Sequence, residues 1–296
     1  MNRKSAITTT TAAALLAAAV LSGAAVVPMT AFALTVTGTN RSDTLKGTES
    51  DDTIYGKGGD DKIYGYKGDD ILYGGRGDDR IRGGSGSDSI YAWHGNNDVN
   101  GGEGSDTIYA TGDHEGNDVD YNKLKGSEGN DKFIVRDSGA TIRGGKGNDV
   151  VDAIADAGFG GFLIYTGPGD DSVSVVDNQA DIFGGDGDDK LIATGEAVHE
   201  VFGEDGNDWI HISTDVGSIA KGGDGDDYIL STFEGTLYGE EGDDILESRN
   251  EIAFNSMIGG PGADEFRCYG GDDSVEDFDE DEGDTILGNC ESINGS

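Results

Sequence analysis

Glycines and single apolar residues recur along the chain at a fixed interval. Aligned at the glycines, residues 56–91 read GKGGDDKIY, GYKGDDILY, GGRGDDRIR and GGSGSDSIY. The frame extends back through GTNRSDTLK (38–46) and GTESDDTIY (47–55), and forward through AWHGNNDVN (92–100) and GGEGSDTIY (101–109), giving eight nonapeptides in one register. Position 8 is always aliphatic: Leu45, Ile54, Ile63, Leu72, Ile81, Ile90, Val99 and Ile108. Positions 7 to 9 alternate polar, apolar, polar, which predicts a three-residue strand with one inward side chain. Glycines at positions 1, 2 and 4 permit positive φ and close backbone approach, so the first six residues suit a tight turn. Turn and strand, taken twice, make a coil of 18 residues. The fold class this predicts is all-β: a parallel β-roll, a right-handed two-sheet β-helix of stacked 18-residue coils whose position-8 side chains fill a thin core.

Beyond residue 109 the period doubles. Asp131, Asp149, Asp171, Asp189, Asp208, Asp227, Asp244 and Asp264 each close the same kind of turn, at separations of 18, 22, 18, 19, 19, 17 and 20 residues. One glycine turn per coil now alternates with a degenerate half such as VRDSGATIR (135–143) or STFEGTLY (231–238). Residues 110–125 and the apolar stretch from Ala153 to Tyr165 are expected to be bulged loops rather than separate domains. The expected organisation is a leader over 1–33, a regular roll over 34–109, a roll of doubled period with insertions over 110–267, and a C-terminal cap over 268–296.

Composition at first points elsewhere. The chain has 296 residues with 59 acidic and 20 basic side chains, a net charge of -39, and 52 glycines. So little apolar surface would ordinarily leave chain entropy uncompensated and the protein disordered. The acidity argues against nucleic acid, whose phosphates need clustered Lys and Arg, and against anionic lipid. The repeat changes this picture, because the acids are placed. Position 6 is Asp43, Asp52, Asp61, Asp70, Asp79, Asp88, Asn97 and Asp106. Stacked turns bring such carboxylates to about 4.8 Å from one another, and an unneutralised column repels strongly. A hard divalent cation between successive turns cures the repulsion. Calcium suits the oxygen-only donors, whereas magnesium demands a near-ideal octahedron and keeps its waters.

The nonapeptide resembles the GGxGxDxUx repeat of the RTX (repeats-in-toxin, hemolysin-type) calcium-binding family, as in the C-terminal β-roll of serralysin-type proteins, over most of residues 38–267. The resemblance implies calcium between turns, liganded by Asp52, Asp61, Asp70, Asp79, Asp88, Asp106, Asp131, Asp149, Asp171, Asp189, Asp208, Asp227, Asp244 and Asp264. It also implies turn carbonyl ligands such as those of Gly75, Gly77, Gly84, Gly86, Gly145, Gly147, Gly185, Gly187, Gly223 and Gly225. Stacking gives about six sites in the nonapeptide region and about seven beyond it, roughly a dozen calcium ions. The chain departs from the pattern where Arg41 and Ser50–Asp51 replace glycine-rich turn residues and where Asn97 replaces an Asp.

Other features assign compartment and surface. Arg3 and Lys4, an apolar run from Ala12 to Val27, and Ala31-Phe32-Ala33 read as a secretory leader with Leu34 as the first mature residue. The run is shorter than the roughly 20 residues needed to span a bilayer. Cleavage removes two positive charges and no acid, taking -39 to -41. The expectation is a secreted, extracellular monomer that binds calcium, without membrane insertion. Cys268 and Cys290, the only cysteines of an exported chain, are expected to pair and close the C-terminal segment. Tyr55, Tyr73, Tyr91 and Tyr109 recur at position 9 every 18 residues and should form an outer ladder, opposite Lys46, Tyr64, Arg82 and Asn100 on the other sheet. The ladder is read first as packing that stabilises the sheet. The alternative is a calcium-dependent adhesin holding an extracellular glycan or cell surface on those rings. Enzyme activity is not expected: His94, His114, His199 and His211 are scattered, no HExxH site occurs, and no serine lies in a G-x-S-x-G elbow.

Overall fold

The computed structural model describes residues 8–11, 32–112, 120–155, 161–176, 179–196, 199–214, 217–250 and 254–295. The rest of the 1–33 leader, 113–119 of the 110–125 joint and 156–160 of the second insertion lie outside the described residues. Successive strands alternate between two sheets, one of 15 strands (sheet one) and one of 14 (sheet two). Thr8–Thr11, within the segment expected to be a leader, pairs antiparallel with Leu34–Thr37 at the edge of sheet one. The other neighbours pair in parallel, so each sheet has fourteen parallel strands and thirteen coil-to-coil steps. At the spacing of paired strands the stack is about 60 Å long. The protein is an all-β, two-sheet parallel solenoid. No helix among the described residues is long and apolar enough to cross a membrane.

Register follows the repeat. On sheet one Ile54, Leu72, Ile90, Ile108 and Phe133 stand in one row. On sheet two Leu45, Ile63, Ile81, Val99 and Leu124 do the same. All ten are at most 2% exposed, so the single aliphatic position of each repeat is the core.

The strands are longer than the three residues expected. Thr53–Gly58 and Lys62–Lys67 each have six, because the backbone keeps its pairing through the first half of the turn, Lys57 opposite Gly75 and Tyr66 opposite Gly84. Each repeat therefore turns three residues inward: the position-6 aspartate, the position-8 aliphatic residue and the position-1 glycine, as in Asp52, Ile54 and Gly56.

In the second half of the roll the edge leading from sheet one to sheet two loses its glycine turns. Its inward glycine is replaced by Ala110, Val135, Ala153, Val175, Ala193 and Ile212, all at most 1% exposed. Apolar packing takes over there. Residues 268–296, expected as a cap, carry Ser274–Phe278, Thr285–Gly288 and Ser292–Gly295, which extend both ladders in parallel. Cys268 and Cys290 form a disulfide within this last part of the roll.

Candidate metal centre

At the edge leading from sheet two to sheet one, glycine turns follow one another through the whole roll. Their aspartates, Asp52, Asp70, Asp88, Asp106, Asp131, Asp149, Asp171, Asp189, Asp208, Asp227, Asp244 and Asp264, point inward and are at most 3% exposed. They form one column because, from Asp70 on, each Oδ1 accepts the backbone N–H of the aspartate one coil earlier. Asp52 N–H donates to Asp70 Oδ1 at 2.7 Å, Asp88 to Asp106 at 2.8 Å, and Asp106 to Asp131 at 2.8 Å. The chain continues to Asp264, whose own N–H donates to Asp284 Oδ1 at 2.9 Å. The two insertions are bridged without a break, since the 25-residue step to Asp131 and the 22-residue step to Asp171 keep the same bond.

The second carboxylate oxygen is different. Oδ2 of every member from Asp70 to Asp264 is buried and has no hydrogen-bond partner. Buried polar atoms are nearly always paired, and a buried, unpaired anionic oxygen is among the most expensive groups a fold can hold. Most of these oxygens converge with a carbonyl from the next turn. A Cβ placed on Gly83 would lie 2.2 Å from Asp88 Oδ2 and 2.5 Å from Gly101 O. On Gly65 it would lie 2.1 Å from Asp70 Oδ2 and 2.6 Å from Gly83 O. At these glycines a methyl group would occupy space already shared by oxygens of two coils; Thr166, at position 1 before Asp171, instead donates its Oγ1 to Gly184 O at 2.7 Å.

Gly75, Gly77, Gly84, Gly86, Gly145, Gly147, Gly185, Gly187, Gly223 and Gly225 all have φ between 110° and 133°, a region closed to most side chains. The carbonyls of Gly77, Gly84, Gly86, Gly145, Gly147, Gly187 and Gly225 face the following turn: Gly84 O is 1.9 Å from a Cβ built on Gly102, and Gly147 O is 2.2 Å from one on Gly169. The donor set is thus carboxylate and carbonyl oxygen, which fits calcium. Among the described residues no three His, Cys, Asp or Glu side chains converge on one point, so a cation would draw most of its ligands from backbone carbonyls.

Electrostatics agree with the geometry. Burial, partly offset by the N–H bond on Oδ1, pushes Asp106, Asp189 and Asp227 up to about 8. Neighbouring carboxylates push in the same direction. Asp88, Asp208 and Asp244, which alternate with them, rise to about 6 for the same first cause.

The opposite edge carries a short column. Asp43 N–H donates to Asp61 Oδ1 at 2.7 Å, Asp61 to Asp79 at 2.8 Å, and Asp79 to Asn97 Oδ1 at 3.0 Å. Asp61 and Asp79 again leave Oδ2 without a partner. Asn97 ends the carboxylates by donating its amide to Gly95 O and Asn122 Oδ1. Further down, neutral acceptors do the same job: Ala180 N–H donates to His199 Nδ1 at 3.2 Å and His199 N–H to Ser218 Oγ at 2.9 Å. These positions carry no carboxylate to compensate.

Two aspartates differ from the rest in their hydrogen bonds or place. Asp52, expected to bind metal like the rest, has its Oδ2 taken by Thr48 N–H at 2.5 Å and Thr48 Oγ1 at 3.0 Å. Asp273, not singled out, is fully buried with an unpartnered Oδ2, and its Oδ1 accepts from Asn255 N–H at 3.2 Å and Ser248 Oγ at 3.1 Å. The short glycine turn YGGDDS (269–274) was its signal.

The outer face bears the expected ladder. Tyr55, Tyr73, Tyr91 and Tyr109 stack at ring separations of 4.7–4.8 Å, with Trp93 leaning on Tyr73 and Tyr91 at 5.7 and 5.6 Å. Sheet two holds a second ladder, Tyr165, Phe183 and Phe202 at 4.8 Å, with Arg143 over Tyr165 at 5.5 Å. Its spacing of 18 and 19 residues was present in the sequence but outside the nonapeptide frame.

Comparison with protein families matches the RTX calcium-binding nonapeptide repeat in four copies, at residues 37–72, 73–108, 121–151 and 236–250. No curated protein matches the chain. Among solved structures the chain is similar to a hyperactive, Ca2+-dependent, β-helical antifreeze protein from an Antarctic bacterium, at 17% identity, over 82% of this chain and 86% of that one, with a TM-score of 0.45. The matched RTX calcium-binding nonapeptide repeats lie on stacked turns of the two-sheet parallel solenoid, so the chain carries this repeat in a β-roll.

Proposed function

We propose that this is a secreted calcium-binding protein whose fold is completed by calcium held between its stacked turns. The observation that carries the reading is the row of buried aspartate Oδ2 atoms, each without a partner and most beside a carbonyl of the next turn. The eleven members of the long column from Asp70 to Asp264 each leave one unpartnered Oδ2, and Asp61 and Asp79 leave two more, about thirteen ions. The energetics support coupled folding. Burial raises the thirteen column aspartates from Asp61 to Asp264, so ionising them at neutral pH opposes the calcium-free fold. Without calcium at neutral pH the chain is therefore mostly unfolded, and binding drives folding by mass action. Circular dichroism with calcium and with excess EGTA tests this; a folded β spectrum in EGTA at neutral pH sinks the coupling.

A second reading concerns the tyrosine ladder. Tyr55, Tyr73, Trp93, Lys57, Arg76 and His94 line a trough of about 490 Å³ on sheet one, with Tyr55 and Trp93 each 39% exposed. Aromatic rings flanked by cations suit an acidic glycan, whose sugar faces stack on the rings while its carboxylates meet Lys57 and Arg76. A glycan array probed in calcium should give hits that disappear when Tyr73 and Tyr91 are replaced by Ala. Binding that survives both replacements removes the ladder from the account.

A further inference from the structure

The long column begins differently from the way it continues. Asp52 is 2% exposed, yet both its carboxylate oxygens are already bonded, Oδ2 by Thr48 and Oδ1 by the backbone N–H of Leu34 at 2.6 Å. Elsewhere the donor to Oδ1 is the aspartate one coil earlier. Leu34 stands 18 residues before Asp52, so it occupies the place of a preceding aspartate and brings an N–H but no carboxylate. Asp43, which opens the short column, is only half-buried and remains partly solvated. Asp52 is the buried charge at the head of the stack, and its hydrogen bonds are to neutral groups.

Leu34 is also the residue that follows Ala31-Phe32-Ala33. Phe32 and Ala33 are exposed, so a peptidase can reach the bond between Ala33 and Leu34. Hydrolysis breaks that C–N bond; water gives its hydroxyl to the Ala33 carbonyl carbon and a proton to the Leu34 nitrogen. The nitrogen then takes up a further proton from solvent, since a free α-amine has a pKa of about 7.7–8.0. We infer that processing at Ala33–Leu34 turns the neutral N–H on Asp52 Oδ1 into an α-ammonium that neutralises Asp52. The new terminus does at the head of the column what a cation does between the lower turns. This rests on the secretory-leader reading. It makes the processed chain easier to fold in calcium than the leader-bearing one, and it leaves Thr8–Thr11 severed from the strand it pairs with.

The test has two parts. The full chain is expressed in an exporting bacterium and the first residue of the released protein is read by mass spectrometry. Leu34 is expected, and any other first residue overturns the processing step. Separately, chains beginning at Leu34 and at Ala33 are prepared, each with Asp52 and with Asp52→Asn; all parallel strands of the roll lie within both lengths. Starting at Ala33 moves the ammonium by one residue, about 3.8 Å along the chain. It should raise the calcium concentration at half-folding about threefold to tenfold with Asp52 present, and leave it unchanged with Asp52→Asn. An equal shift in both backgrounds overturns the ion pair. Should Asp52→Asn not fold, amine labelling of the calcium-loaded chains decides. The Leu34 amine should react about tenfold more slowly than the Ala33 amine, and equal rates overturn the pair.

Discussion

Replacing Asp106 by Asn separates the burial cost of a column carboxylate from its value as a ligand. Asp106 is 1% exposed; its Oδ1 accepts the Asp88 N–H at 2.8 Å and its Oδ2 has no partner. Burial, with the charges of Asp88 and Asp131, lifts its pKa from an ordinary 3.8 to about 8 against the lowering effect of that N–H bond. Because the folded value is raised, the folded state binds the proton more tightly. The penalty is absent below about pH 4, grows as pH rises toward about 8, and is complete above that. At pH 7 roughly three units separate solution pH from the ordinary value, which is at most ~4 kcal/mol against the calcium-free fold. Asparagine keeps the Oδ1 acceptor and removes the charge, as the natural Asn97 does on the other edge. In chelator at neutral pH, Asp106→Asn should therefore raise the residual β signal or the urea midpoint. In calcium the same change removes a charged ligand from two interturn spaces and should raise the calcium concentration at half-folding about tenfold, ~1.4 kcal/mol. The assay is circular dichroism against urea, with and without calcium, at pH 7 and pH 5. The chelator advantage should shrink at the lower pH. A variant that is destabilised equally with and without calcium refutes the reasoning.

Other consequences follow from the same geometry. Gly83→Ala places a methyl group 2.2 Å from Asp88 Oδ2 and 2.5 Å from Gly101 O; calorimetry should find at least one calcium ion fewer, and an unchanged count contradicts the cradle. Glu204 has φ 80° at the second turn position, so Glu204→Gly should relieve about 1 kcal/mol of backbone strain and raise the melting temperature in calcium; a fall in melting temperature counts against this. Reducing Cys268–Cys290, which closes a separation of 22 residues, should cost about 3 kcal/mol. The loss should appear in hydrogen exchange as faster opening of Ser274–Phe278 and Ser292–Gly295 while the coils around Ile81 keep their protection.

The repeat alone carries most of the fold. A nine-residue period with one aliphatic position dictates two strands per 18-residue coil, one inward side chain per strand, and rows of Ile, Leu and Val. The tyrosine ladder and the column of aspartates follow from the same period, because stacked coils repeat whatever stands at equivalent positions. Sequence reading stops where the period breaks. Whether Asp106 and Asp131, 25 residues apart, belong to one column cannot be judged from spacing; the backbone bond between coils decides it. The number alone also cannot say that Asp52 has its second oxygen filled by Thr48 while Asp70 does not. Nor does it show that the degenerate edge exchanges carboxylates for His199 and Ser218 and its inward glycines for Val135 and Ile212. Local composition sets which residues favour turn or strand. Only stacking determines which oxygen meets which backbone one coil away, and hence which buried charges are left for a cation.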